Sequence, residues 1–238
     1  MSTFVLIHGA WHGGWCWYKV VALLEKHGHT VIAPDLPSHG RDKTPFSAVS
    51  LQGYVDSVGK VIDAQQEPVI LVGHSMGGSM VIPQAAEYRP DKIRTLVYVA
   101  ARLLRNGDSS LSDGQGDTES LLLPNLVFDQ DRSTATVREE ALKEVFYGDY
   151  SDEDVALAKA LLVPEAVTLL ATPIHTSAEN FGRLPRVYVE CLRDRALPPA
   201  VQKKQYTTLP CQKVISMNTS HSPFFSAPGE LAAHLMAL

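Results

Sequence analysis

The stretch that most constrains this chain is Gly73-His74-Ser75-Met76-Gly77-Gly78. It follows the apolar run Pro68-Val69-Ile70-Leu71-Val72 and precedes a helical stretch over residues 79–87. A strand that enters Gly-x-Ser-x-Gly and leaves as a helix is the context of a nucleophile elbow. So sharp a turn strains the serine backbone and crowds the residues beside it. Gly73 and Gly77 are small enough to permit the crowding, and Gly78 lets the helix approach the sheet. The turn then presents the Ser75 hydroxyl at the carboxyl end of its strand, above a helix N-terminus.

The flanking sequence supplies the sheet this turn requires. Residues 4–7, 30–35, 68–72, 95–100, 186–191 and 212–217 are short runs, most of them apolar at every position. Uninterrupted runs of this kind suit parallel strands covered on both faces. Helical patterns at residues 17–26 (inner face Val20, Val21, Leu23 and Leu24), 51–64 and 228–238, together with the helix after the elbow, separate or close these runs. Strand–helix alternation implies right-handed crossovers and an α/β fold: a mainly parallel six-stranded sheet with helices on both faces. The alternation stops between Leu103 and Leu184, where no strand is expected. Residues 106–120 read as a mobile polar loop, and helices are expected near 134–146 and 151–162, the latter opened by Ser151 and Asp154. The chain therefore divides into a core (1–102 and 185–238) and an inserted helical cap (103–184) that would exclude water and shape a pocket.

Catalytic groups in open parallel sheets gather at the carboxyl ends of strands, and in this architecture a serine, an acid and a histidine follow in chain order. Only His175, His221 and His234 follow Ser75. His221 alone lies in a loop after a strand, where it could act as the general base for Ser75. The loop after the preceding strand offers Asp194, which would hold the imidazole tautomer; Asp108 and Glu190 are the other acids considered. An oxyanion site needs two backbone N–H groups. Met76, after the nucleophile, and Ala10, in the loop after the first strand, are the expected donors. Gly9, Trp11, His74, Leu103 and Phe128 are the candidate pocket residues. With Leu103 and Phe128, Leu121, Leu122 and Leu123 fit a hydrophobic acyl or alcohol site, and core packing accounts for them equally well. His8 and His12 stand four apart but in a loop with no acidic partner, so no metal site is expected.

With 238 residues and a net charge of −5, the chain can bury a large core, and it has no basic stripe. Nucleic acid and anionic membranes are not expected partners, and a cofactor is not implied. Residues 2–4 run straight into a strand without the features of a signal peptide. Cys16, Cys191 and Cys211 are three and widely spaced, which suits reduced thiols in a cytoplasm better than a disulfide framework.

On these residues the chain resembles the α/β-hydrolase superfamily, and more narrowly the group of plant methylesterases, plant hydroxynitrile lyases and bacterial esterases. The resemblance covers essentially the whole chain. It is carried by residues 4–18 (FVLIHGAWHGGWCWY), Ala33-Pro34-Asp35-Leu36-Pro37, residues 73–78, Phe146-Tyr147-Gly148-Asp149, the run from Ser151, Asp194-Arg195-Ala196-Leu197-Pro198 and His221-Ser222-Pro223-Phe224-Phe225-Ser226. It implies a triad of Ser75, Asp194 and His221, with oxyanion donors Ala10 and Met76. Hydroxynitrile lyases of this group carry a threonine and a lysine where this chain has Gly9 and Ser222. Neither residue here can supply the charge that stabilises cyanide, and Gly9 is expected to leave room for a tetrahedral intermediate. The leading expectation is a cytoplasmic serine carboxylesterase acting on a small or medium hydrophobic ester. The alternatives are a lactone, thioester or pyrethroid-type hydrolase on the same triad, a hydroxynitrile lyase, and a non-catalytic small-ligand receptor. Homodimerisation is left open.

Overall fold

The computed structural model describes residues 1–115 and 117–238. Six strands form one sheet: β1 (Thr3–Ile7), β2 (Thr30–Ile32), β3 (Val69–His74), β4 (Ile93–Val99), and, after a long insert that holds β5 to β7, β8 (Arg186–Cys191) and β9 (Lys213–Met217). Their spatial order is β2-β1-β3-β4-β8-β9, and every neighbouring pair is parallel. Every residue of β3 is buried, as its unbroken apolar run requires, whereas the edge strands β2 and β9 keep exposed positions. Helices cover both faces. Helix α1 (Tyr18–Lys26) packs against the closing helix at Pro228–Met236, and α2 (Leu51–Asp63) packs against α3 (Ile82–Tyr88). Within α1, Val20 and Leu24 are fully buried while Val21 and Leu23 are only partly so.

Strand order reverses at β1: β2 lies on one side of it and β3 on the other. Ile7 and Gly73 are in register there, so the loops after β1 and β3 emerge side by side at the carboxyl edge. A crevice at such a switch point is where parallel sheets place their sites. It is also where residues 8–12 meet the elbow.

The segment from 103 to 184 departs from the all-helical expectation. It contains a three-stranded antiparallel sheet: β5 (Leu126–Phe128), β6 (Thr134–Val137) and β7 (Glu165–Ala166). Residues 134–137, expected to open a helix, are strand because Thr-Ala-Thr-Val is rich in β-branched side chains and its burial alternates. The Asp129 carboxylate closes the hairpin by accepting from Thr134 N–H (3.1 Å), Thr134 Oγ1 (2.8 Å) and Ser133 Oγ (2.9 Å). Helix α4 (Leu142–Phe146) is the helical remainder of that stretch, and α5 (Asp152–Leu161) begins at Ser151, whose hydroxyl accepts from Asp154 N–H. Within the polar segment 106–120 the described residues carry local structure. A helical turn at Ser110–Asp113 is capped by Ser109, and the Arg102 guanidinium bridges Asp113 (2.8 Å) and Asp117 (3.3 Å). Gly116, within that stretch, lies outside the described residues. Apolar side chains of the insert such as Val145, Phe146 and Leu169 join the same buried cluster as the sheet.

One helix, α6 (Pro199–Thr208), has no counterpart in the sequence reading. Its polar composition shows no apolar stripe, because the residues it buries are the glutamines Gln202 and Gln205. The closing helix is α7 (Pro228–Met236). Among the described residues, no helix is long and apolar enough to cross a membrane.

Candidate active site

Ser75 sits at the end of β3 with φ +50°, in the left-handed region that non-glycine residues rarely occupy. Holding it there costs of order 1–3 kcal/mol, which the surrounding packing must offset. The glycines show how tightly the turn is wound. A Cβ on Gly73 would stand 2.6 Å from Gly78 Cα, and one on Gly77 would stand 2.2 Å from the His8 carbonyl oxygen. Beyond the serine, Gly77–Val81 forms a π-helical turn before α3 begins. Pro83, early in α3, has no N–H to give Ser79 C=O, so the regular α-helical pattern could not run through that point. The Ser79 hydroxyl donates to Ser75 C=O and accepts from Arg102 N–H, both at 2.9 Å, which fixes the elbow to the segment after β4.

At the ends of β8 and β9 stand Asp194 and His221. Both are buried, and His221 Nδ1–H donates to Asp194 Oδ2 at 2.7 Å. The carboxylate is itself held on both sides. Oδ1 accepts from Ala196 N–H and Leu197 N–H at 2.8 Å each, and Oδ2 also accepts from Gln202 Nε2 at 3.2 Å. Gln202 further donates to Leu197 C=O (2.7 Å) and accepts from Cys191 N–H (3.0 Å), so α6 locks the acid in place. Sequence reasoning missed Gln202 because a glutamine in a polar helix carries no mark of burial. Asp108 and Glu190, the other acids considered, bind elsewhere: the Asp108 backbone pairs with Arg105 and Ile174, and Glu190 accepts from Tyr206 OH at 3.0 Å.

Ser75 and His221 line one cavity of about 330 Å³, together with Ala10 and Met76. Most of its wall is apolar: Trp11, Leu111, Leu122, Leu123, Leu126, Phe128, Val167, Leu170 and Leu197. Among the described residues lining it, the cations are Arg102, already paired with two carboxylates, and Arg132, which stacks 4.2 Å over the Phe128 ring. Of the five pocket candidates, Trp11 and Phe128 face this space; Gly9, His74 and Leu103 do not. A Cβ on Gly9 would meet His74 Nδ1 and Ser75 Cβ at 2.9 Å. Glycine there permits the β1 loop to approach the elbow; it does not leave room for substrate. His74 is buried, and its Nε2–H donates to His221 C=O at 3.0 Å. Leu103 is buried in the core, its N–H on Gln205 Oε1.

The β1 loop is fixed by two buried imidazoles. His8 Nδ1–H donates to Gly9 C=O (2.8 Å), while its Nε2 accepts from Leu36 N–H (3.0 Å). A trans peptide points its C=O and N–H in opposite directions, so this bond turns Ala10 N–H away from His8. His12 Nδ1–H donates to Ala10 C=O at 2.7 Å, and its Nε2 accepts from Tyr147 OH at 2.7 Å. In both rings one nitrogen donates and the other accepts, which only a neutral imidazole can do. Burial accordingly pushes His12 down to about 4, partly opposed by the Ala10 bond. Burial, joined by repulsion from His39, holds His8 well below the ordinary imidazole range, and burial with the neighbouring His221 does the same to His74.

A strained serine and a carboxylate-oriented imidazole on one apolar cavity that Ala10 and Met76 also line can bind an acyl group and transfer it. The alpha/beta hydrolase family matches residues 4–234 of the chain. The chain belongs to the alpha/beta hydrolase family. Methylesterase 17 of Arabidopsis thaliana is 32% identical, over 94% of this chain and 87% of its own length. A pyrethroid hydrolase of Sphingobium wenxiniae is also 32% identical, over 98% of this chain and 85% of that protein. The crystal structure of a pyrethroid hydrolase from Sphingobium faniae superposes with a TM-score of 0.89 at 31% identity, covering 99% of this chain and 96% of the other. These relatives are carboxylic ester hydrolases by name. The chain spans only 64%, 55% and 54% of the length of three chloroplastic Arabidopsis thaliana relatives that it also matches.

Proposed function

We propose that this α/β hydrolase is a serine carboxylesterase that cleaves hydrophobic esters through an acyl-enzyme. The observation that carries the reading is the buried 2.7 Å bond from His221 Nδ1–H to Asp194 Oδ2, with His221 and Ser75 facing the same apolar cavity. With Nδ1 committed as donor, the neutral ring keeps Nε2 free as the base. Ser75 Oγ attacks the ester carbon and its proton passes to Nε2; the imidazolium so formed is stabilised by Asp194 and returns the proton to the departing alcohol. The oxyanion is received by the N–H groups of Ala10 and Met76. Water, activated by the same His221, then releases the acid and restores Ser75.

The cavity wall favours an apolar acyl or alcohol part, and pyrethroid-type esters and methyl esters of hydrophobic acids are the first substrates to try. Steady-state hydrolysis of p-nitrophenyl acetate, butyrate and octanoate by the wild type and by Ser75→Ala tests the reading. Turnover that disappears in the variant supports it, and the chain-length profile measures the cavity. Wild-type turnover surviving in Ser75→Ala would refute it.

A further inference from the structure

The loop that carries Ala10 is held in place by the inserted segment. Trp11, the next residue, has φ +64°, a conformation a tryptophan adopts only when its surroundings impose it. What imposes it comes from three parts of the insert. Trp11 Nε1–H donates to Ala135 C=O on β6 at 2.8 Å, and Trp11 C=O accepts from Val163 N–H, just before β7, at 3.0 Å. The third tie is indirect: Tyr147 OH, directly after α4, donates to His12 Nε2, and the His12 Nδ1–H holds Ala10 C=O, both at 2.7 Å. Tyr147 and His12 are both buried; the Ala10 carbonyl can only accept, so His12 Nδ1 carries the ring proton and Nε2 accepts from Tyr147 OH.

We propose that the insert is a working part of the oxyanion site. In this account Tyr147 and His12 are positioning residues that, with the Trp11 ties to Ala135 and Val163, hold the strained Gly9–Trp11 turn so that Ala10 N–H meets the developing oxyanion. This rests on the serine-esterase reading above. Without the ties, Trp11 is free to relax toward negative φ and the peptide between Ala10 and Trp11 rotates with it, while the His8 bond to Gly9 C=O holds only the start of the loop. The same insert stretch also steadies the histidine loop, because Asp149 accepts from Ser220 N–H (2.9 Å) and Tyr150 OH donates to Ser222 C=O (2.7 Å). The insert thus grips the site on both sides.

The test compares Tyr147→Phe, His12→Asn and His12→Leu with the wild type and Ser75→Ala, using p-nitrophenyl butyrate and counting active sites by titration. Inhibition by a trifluoromethyl ketone, which adds to the serine as a tetrahedral adduct, is measured beside inhibition by the matching methyl ketone. Misplacing one oxyanion donor is expected to lower kcat about tenfold in Tyr147→Phe with KM unchanged. Trifluoromethyl ketone affinity should fall by the same factor, and methyl ketone affinity should not change. His12→Asn, which keeps a donor near the Nδ1 position, should retain more activity than His12→Leu. Should Tyr147→Phe fail to fold, the two His12 variants decide the matter by that difference. Wild-type kcat per titrated site and unchanged trifluoromethyl ketone affinity in Tyr147→Phe, or equal losses in the two His12 variants, would overturn the proposal. Those outcomes leave the esterase reading standing if Ser75→Ala is inactive; an active Ser75→Ala removes both.

Discussion

Lowering the pH from 7 to 5 should destabilise this protein measurably, because it buries three neutral imidazoles at the site. His8, His12 and His74 all titrate well below the ordinary imidazole value of 6.5 in the folded chain, His12 at about 4. In the unfolded chain each recovers the ordinary value. At pH 5 the unfolded state therefore binds nearly one more proton at His12 than the native state does, and His8 and His74 act in the same direction. Stability rises with pH wherever the unfolded state holds more protons, by about 1.4 kcal/mol per proton per pH unit. For His12 alone the slope near pH 5 is about 1.2 kcal/mol per pH unit and the integrated loss from pH 7 to 5 is about 2 kcal/mol, and His8 and His74 add to it with the same sign. A typical domain has about 5–15 kcal/mol to lose. His39 works in the opposite sense. Burial disfavours its charge, but the Glu165 carboxylate, 3.2 Å away, outweighs burial and raises its pKa. The stability that pair contributes is fully present below pH 6.5 and is lost as pH rises through the raised value, so it shallows the acid decline without reversing it. Urea unfolding at half-unit steps from pH 7.5 to 4.5, with proton uptake measured by calorimetry in two buffers, reads both quantities. Stability constant to within about 1 kcal/mol between pH 7 and 5 would refute the claim that these histidines are buried and neutral.

Other perturbations follow from the same contacts. Ser75→Ala and His221→Ala should each lower kcat/KM roughly 10⁴- to 10⁶-fold, and the double variant should lose little more than either alone, as steady-state assays of the three would show. Asp194→Asn should lower kcat by about 10⁴-fold with the fold intact by circular dichroism, while Asp108→Asn should leave it unchanged; the reverse order would mean the acid is misassigned. Gln202→Leu strands the partners of a fully buried amide and should cost about 2–4 kcal/mol in urea unfolding, with a fall in kcat as Asp194 loosens. Gly78→Ala puts a methyl 2.6 Å from Ala101 Cβ and from Gly73 C=O, and should cost about 1–3 kcal/mol by the same measurement.

Much of this architecture was legible from local pattern. The unbroken apolar runs marked parallel strands, and Gly-x-Ser-x-Gly between a strand and a helix located the elbow, because both signals reside in neighbouring residues. Asp194 and His221 followed from their places after β8 and β9, and the fold brings them to 2.7 Å. What escaped depends on burial contributed from far along the chain. Residues 134–137 read as helix when joined to the genuine helical turn that follows them; only pairing with β5 and β7 makes them a strand. Gln202 and Gln205 look like solvent-exposed residues and are instead inner partners of Asp194 and Leu103. Gly9 and His74 stand next to catalytic candidates in the sequence, yet both are packed behind the cavity wall. The insert's hold on Trp11 could not be read at all, since Ala135 and Val163 contribute through backbone atoms that any residue carries.

The most direct test of the central claim is to trap the acyl-enzyme. Mixing the protein with excess p-nitrophenyl butyrate on the millisecond scale, quenching in acid and mapping the peptides by mass spectrometry should show one butyryl group on the peptide that carries Ser75. A burst of p-nitrophenol equal to the enzyme concentration should accompany it where release of the acid limits turnover. Hydrolysis at the wild-type rate with Ser75→Ala, or a butyryl group found on another side chain in place of Ser75, would contradict the account.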